Sequence, residues 1–196
     1  MKFQSDIDID FGNRDAALRL VQHTPASILR DGELVRHNTG VYVTEVPVDP
    51  DTGQCALDYQ AAEARGYVKL DLLNVSLYTQ ITSEEHLAHM MKEPLWDLLR
   101  EEQFVSQLIH IGSHYSTLAK MPEPVDSIPR LAMFLAVIRP AKRHLIGRPW
   151  REVAAGIWER PTDDSYYFKK AHAVSYAQLV VVNMNLICER ISYGYS

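Results

Sequence analysis

The segment Ser5-Asp6-Ile7-Asp8-Ile9-Asp10-Phe11 constrains this chain more than any other, because its alternation of carboxylate and apolar side chains has the two-residue period of a β-strand. In that conformation Ile7, Ile9 and Phe11 face a core, and Asp6, Asp8 and Asp10 share the opposite surface. Aspartate is a poor strand former and neighbouring carboxylates repel, so fold stability alone does not favour the pattern. A bound cation does. Oxygen-only ligands suit Mg²⁺ or Mn²⁺, and a further carboxylate from an adjacent strand, Asp71 in Val68-Lys69-Leu70-Asp71-Leu72-Leu73, completes the acidic set used in two-metal phosphoryl transfer. The alternative is a solvated strand face with caps for the helix that follows.

The rest of the chain falls into two stretches of different periodicity. After the acidic strand, the spacing of Ala17, Leu18, Leu20 and Val21 predicts a helix over Arg14 to His23 behind an Asn13 cap, stopped by Thr24-Pro25. Gly40 to Val46 alternates as a strand. The turn residues Asp49 to Gly53 then make Gln54 to Tyr59 its expected hairpin partner. A short helix over Ala61 to Arg65 leads through Gly66 to the strand that holds Asp71. From about Asn74 the period becomes helical, with helices expected after Ser83, around Pro94 to Leu99, over Phe104 to Ile111, Ser127 to Ile138, Trp150 to Trp158 and Ala171 to Ile191. The last should carry Val174, Val181, Met184 and Cys188 on one face. The expected fold class is α+β: residues 1–80 form a small mixed sheet with the acidic cluster, and residues 81–196 form a mostly helical half.

Five segments, in order, resemble the palm and fingers of the bacterial DNA polymerase III α subunits, the C-family polymerases. SDIDIDF and GYVKLDLLNV are similar to the family's two palm strands, and Arg36-His37-Asn38-Thr39-Gly40-Val41-Tyr42 to the stretch between them. Leu135 to Ala141 resembles an ALYRPGP stretch, and Tyr167 to Ala177 a GFNKSHAxAYA stretch of the fingers. The resemblance implies a nucleotidyltransferase-type palm followed by fingers, with Asp6, Asp8 and Asp71 as catalytic carboxylates holding Mg²⁺ or Mn²⁺. Lys69 then matches a palm lysine beside the third carboxylate. Arg139 and the Lys170/His172 pair match finger segments that face nucleotide or template.

The departures from that pattern are large. With Asp6 so near the start, the Gly-Ser loop that cradles the triphosphate in the family is not expected, and phosphoryl transfer depends on such positioning. RPGP has become Arg139-Pro140-Ala141-Lys142. Processive synthesis by the chain alone is therefore not expected. Two functions fit: a miniature, phage-like relative that retains metal-dependent nucleotidyl transfer on DNA or nucleotides, or a non-catalytic replication accessory that binds DNA or other replication proteins. A short sheet with an unpaired edge would also suit a homo-oligomer.

Composition narrows the field further. With 46% hydrophobic and 23% charged residues, the 196-residue chain is ordinary globular material. Cys55 and Cys188 form no metal or redox motif, and the longest apolar run, Leu179 to Met184, is short for a bilayer, so a cytoplasmic protein without a membrane segment is expected. A net charge of −5 argues against coating nucleic acid through bulk electrostatics. A local patch remains, however. Arg139, Lys142, Arg143, His144, Arg148 and Arg151 make one basic stretch, and Lys169 and Lys170 another. Either these contact DNA or nucleotide phosphates, or they are solvated helix ends. The spacings His86-x-x-His89 and His110-x-x-x-His114 lack an HExxH or a cysteine pair and read as ordinary polar positions.

Overall fold

The structure is a computed structural model that describes residues 7–163 and 165–194, with the backbone alone at Asp8. The chain is a mixed α+β protein that divides into two compact units, Met1–Ile81 and Thr82–Ser196.

In the first unit, β1 (Ile7–Phe11) leads into α1 (Arg14–Leu18), then β2 (Thr24–Arg30), β3 (Glu33–Tyr42), α2 (Tyr59–Ala64) and β4 (Leu70–Asn74). These four strands form one mixed sheet in the order β1-β4-β3-β2. β1 runs parallel to β4, and the other neighbours are antiparallel. Asp31-Gly32, both at positive φ, closes the β2–β3 hairpin, a conformation that glycine and aspartate tolerate best.

Successive residues of β3 point to opposite faces, so Val41 and Tyr42 anchor two different clusters. Leu18, Val41 and Leu72, with Phe11 and Leu70, fill one face beneath α1. Ala26, Tyr42, Cys55 and Ala62, with Val46, Leu57 and Tyr67, fill the other beneath α2. Asn13 caps α1 by accepting the Ala16 N–H at 3.0 Å, and Asp58 caps α2 through Gln60 and Ala61.

Several expectations need correction here. The helix after β1 ends at Leu18, and residues from Thr24 form a strand. Gln54 to Tyr59 does not form a strand: Cys55 makes an isolated antiparallel bridge to Val48 and Asp58 an isolated parallel one to Ser27, while Asp49 Oδ1 accepts the N–H groups of Asp51 and Thr52 to make a tight turn. Ile7 and Ile9 are exposed at 41% and 37%, and only the Phe11 end of β1 packs into the core. The cause is that β1 is an edge strand and the five-residue α1 covers just its C-terminal end.

The second unit contains α3 (Glu84–Met90), α4 (Glu102–Val105), α5 (Tyr115–Leu118), α6 (Ile128–Val137), α7 (Trp150–Gly156) and α8 (Lys170–Ser192), with short 3-10 turns between them. α6 and α8 pack against each other at its centre. α6 buries Leu131, Ala132, Phe134, Leu135, Ala136 and Val137, so it is apolar nearly all round. Each of the larger buried side chains contributes about 1.5–3 kcal/mol through loss of apolar surface from water.

The buried stripe of α8 runs through Ala173, Ala177, Val180, Val181, Met184 and Ile187. Val181 and Met184 lie on it and the half-buried Cys188 packs against the same core, as expected, whereas Val174 is 42% exposed and lies off it. α8 has 23 residues and contains an 18-residue stretch of mean hydropathy 1.3, long and apolar enough for a bilayer span, contrary to the judgement from its apolar run alone. Most of that stretch is buried inside the unit, as in a core helix. Phe104 to Ile111 is not one helix: α4 stops at Val105, and His110 adopts a positive φ.

Candidate functional site

Two strands that start some sixty residues apart in sequence bring the acidic positions together. In the parallel β1–β4 pair, Asp8 stands opposite Asp71 and Asp10 opposite Leu73. Asp6 lies outside the described residues. Asp10 is exposed, and its negative charge adds to burial in raising the Tyr78 hydroxyl above its ordinary range.

Asp71 is held on several sides. The stretch Arg36 to Gly40 does not run as a regular strand: Ser27 pairs with Arg36 and Pro25 with Val41, so Ala26 alone faces the residues in between. His37 shapes this bulge, its Nδ1 accepting the N–H of Gly40 at 2.9 Å and of Thr39 at 3.3 Å. The bulge aims Thr39, whose Oγ1 donates to Asp71 Oδ1 at 2.8 Å. The other carboxylate oxygen, Oδ2, takes the ammonium of Lys69, two residues earlier on the same face of β4. These two side chains are only 17% and 14% exposed.

His37 Nδ1 also lies 3.8 Å from Asp71 Oδ1. Because that nitrogen accepts two backbone hydrogen bonds, the neutral ring carries its proton on Nε2. Burial, then the charge of Lys69, pushes the His37 pKa down against the pull of Asp71, so the ring is neutral near pH 7 and the contact is not an ion pair. Tyr59 completes the surroundings, with its ring edge-on to His37 at 5.7 Å and 5.6 Å from Lys69 Nζ. The backbone N–H of Arg14 donates to Asn74 Oδ1, and its Nη2 donates to the Thr39 carbonyl at 3.4 Å. Its Nε is buried without a hydrogen-bond partner among the described residues.

Sequence reasoning picked out Lys69 and Asp71 but gave no role to Arg14, His37, Thr39, Gly40 or Tyr59. The signal for three of them was present in the Arg36 to Tyr42 stretch, which contributed only to a resemblance. Arg14 and Tyr59 carry no motif that marks them.

The second unit gathers part of the predicted basic set. The guanidinium of Arg139 stands over Phe168, which also neighbours His172 at 6.2 Å and Tyr176 at 5.3 Å. His110 packs edge-on against Tyr176 at 4.3 Å. Burial, then the charge of Arg139, lowers the pKa of both His110 and His114, and Arg143 adds to the effect on His114. Arg143 and Lys170 are exposed. Lys142 is not available at the surface: it is 6% exposed and its Nζ donates to the Gly156 carbonyl at 2.7 Å. It fastens a turn to α7.

Among the described residues, no three His, Cys, Asp or Glu side chains form a group able to hold a metal ion. The donor chemistry at Asp71 nevertheless suits a hard divalent cation, since a carboxylate has about four lone-pair sites and Thr39 and Lys69 take one on each oxygen. No family model, curated protein or solved structure matches the chain.

Proposed function

We propose that the protein is a miniature relative of the C-family DNA polymerases, acting on DNA or nucleotides by metal-dependent nucleotidyl transfer. Asp6, Asp8 and Asp71 would hold Mg²⁺ or Mn²⁺, and the four-stranded sheet would serve as a nucleotidyltransferase-type palm. One observation carries the reading: β1 and β4 are adjacent, parallel and in the register that sets Asp8 beside Asp71. A fold that used these aspartates only as solvated strand residues or helix caps has no need of that register.

When bound, the metal supplies charge neutralisation on the phosphoryl oxygens and a more acidic attacking hydroxyl. The chain's own residues orient and bind. Thr39 fixes the rotamer of Asp71, and His37 fixes Thr39 by shaping the bulge. Lys69 offers an ammonium to a phosphate oxygen, and Arg139, Arg143, Lys170 and His172 form the nucleotide- or DNA-binding set of the second unit. Asp8→Asn and Asp71→Asn should each abolish Mg²⁺-dependent transfer to a primer or nucleotide while leaving the circular dichroism spectrum unchanged. Full activity in either variant would remove these residues from catalysis.

A second reading, a non-catalytic replication accessory, is favoured by the engagement of both Asp71 oxygens by protein groups. Calorimetric titration with Mn²⁺ separates the two. Binding that disappears in Asp71→Asn supports the enzyme, and no binding in the native protein supports the scaffold.

A further inference from the structure

The ammonium of Lys69 reaches Asp71 because position 40 has no side chain. Gly40 pairs with Asp71 across β3 and β4. A Cβ there would stand 2.7 Å from Lys69 Cδ, 3.0 Å from His37 Nδ1 and 3.1 Å from Ala26 Cβ. Gly40 is absent from the residues at positive φ, so the backbone does not demand glycine; the stem of Lys69 does. Tyr59, 5.6 Å from Nζ, bounds the ammonium on another side. Lys69 thus occupies one oxygen of the carboxylate that the proposed function assigns to a divalent cation, while Thr39 holds the other.

We infer that Lys69 is an exchangeable counter-ion, neutralising Asp71 when the cation is absent and passing to a phosphate group when the cation binds. The inference rests on the proposed function and adds a regulation to it. Two positive charges at one carboxylate oxygen repel strongly in a site screened from water. A divalent ion therefore binds Asp71 against Lys69 unless the ammonium has somewhere else to go. A lysine is suited to the exchange because it is a point charge on a flexible four-carbon stem. A phosphate anion within reach gives it a new partner, so anion and cation favour each other's binding, and linkage makes the effect equal in both directions. Thr39 stays on Oδ1 throughout, and the carboxylate keeps its orientation.

The test follows free Mn²⁺ by electron paramagnetic resonance in titrations of the full chain, with Asp71→Asn defining the signal of this site. Lys69→Gln should bind Mn²⁺ about tenfold more tightly than the native protein, a difference well outside titration error. Inorganic phosphate should tighten Mn²⁺ binding to the native protein and leave Lys69→Gln unchanged. Gly40→Ala, which pushes the stem aside without removing a charge, should shift affinity in the same direction as Lys69→Gln and carries the test if that variant unfolds. Equal Mn²⁺ affinity in the native, Lys69→Gln and Gly40→Ala proteins overturns the exchange and leaves the proposed function standing. An equal effect of phosphate on the native protein and Lys69→Gln overturns the coupling. Absence of Mn²⁺ binding in every variant overturns both the inference and the proposed function.

Discussion

The guanidinium carbon of Arg139 lies 4.6 Å above the ring centre of Phe168. Phe168 is buried within the core of the second unit, so the pair joins a cation at the surface to the packing beneath it. The Nε of Arg139 is buried without a hydrogen-bond partner among the described residues, and the aromatic face offers its guanidinium a stabilising contact.

Replacing Arg139 by lysine keeps the charge and loses the flat, stacked surface. The expected cost is about 0.5–1 kcal/mol in urea unfolding. Phe168→Ala should cost about 3–5 kcal/mol, because it also opens a cavity. If the basic set binds DNA, anisotropy of a labelled oligonucleotide should show weaker binding for Arg139→Lys at unchanged net charge.

Acidification should weaken the fold through His110 and His114. Their folded pKa values lie below the ordinary 6.5 of the unfolded chain. The unfolded state therefore takes up protons first as pH falls, so stability is fully present above about pH 6.5 and is lost below it. Unfolding midpoints measured between pH 7.5 and 5.5 should fall, and the double variant His110→Asn/His114→Asn should flatten the profile. The slope should be shallow, since His110 keeps part of its surface in water and the solvent screens its charge.

Tyr42 is 1% exposed, and its hydroxyl has no hydrogen-bond partner among the described residues. Burial, with nearby Cys55, Asp58, Asp71 and Glu63, raises its pKa to about 12. Tyr42→Phe removes a desolvated polar atom and keeps the ring, so it should be neutral or stabilising by up to about 1–3 kcal/mol. Thermal unfolding measures this directly.

Asn183 is one of the few buried polar residues, and its Oδ1 accepts the N–H of Ile109 at 2.9 Å. It ties the loop carrying His110 to α8. Asn183→Leu leaves that N–H without an acceptor and should destabilise by about 1–3 kcal/mol. Hydrogen exchange at Ile109 should accelerate.

Where local chemistry decided an element, the sequence reading came close. Ser127 before Ile128 marked α6, and Ser83 capped α3 by accepting the His86 N–H at 3.0 Å, as its spacing suggested. The β2–β3 hairpin was missed although Asp31-Gly32 is a strong turn signal, because a Pro25 that reads as a helix stop also starts an edge strand. At the site, the pairing of Asp8 with Asp71 followed from alternation and a resemblance. The roles of Thr39 and Gly40 were hidden because they depend on a bulge created by one histidine ring, which no period or propensity encodes.

The parallel union of β1 with β4 also fixes the order in which the domain can assemble. The β2–β3 hairpin closes over two residues, whereas β1 must wait for a strand some sixty positions away, and such distant pairings form slowly. The strand that carries Asp8 should thus dock after the hairpin has closed. A newly made chain should therefore hold its hairpin before Asp8 comes to stand opposite Asp71.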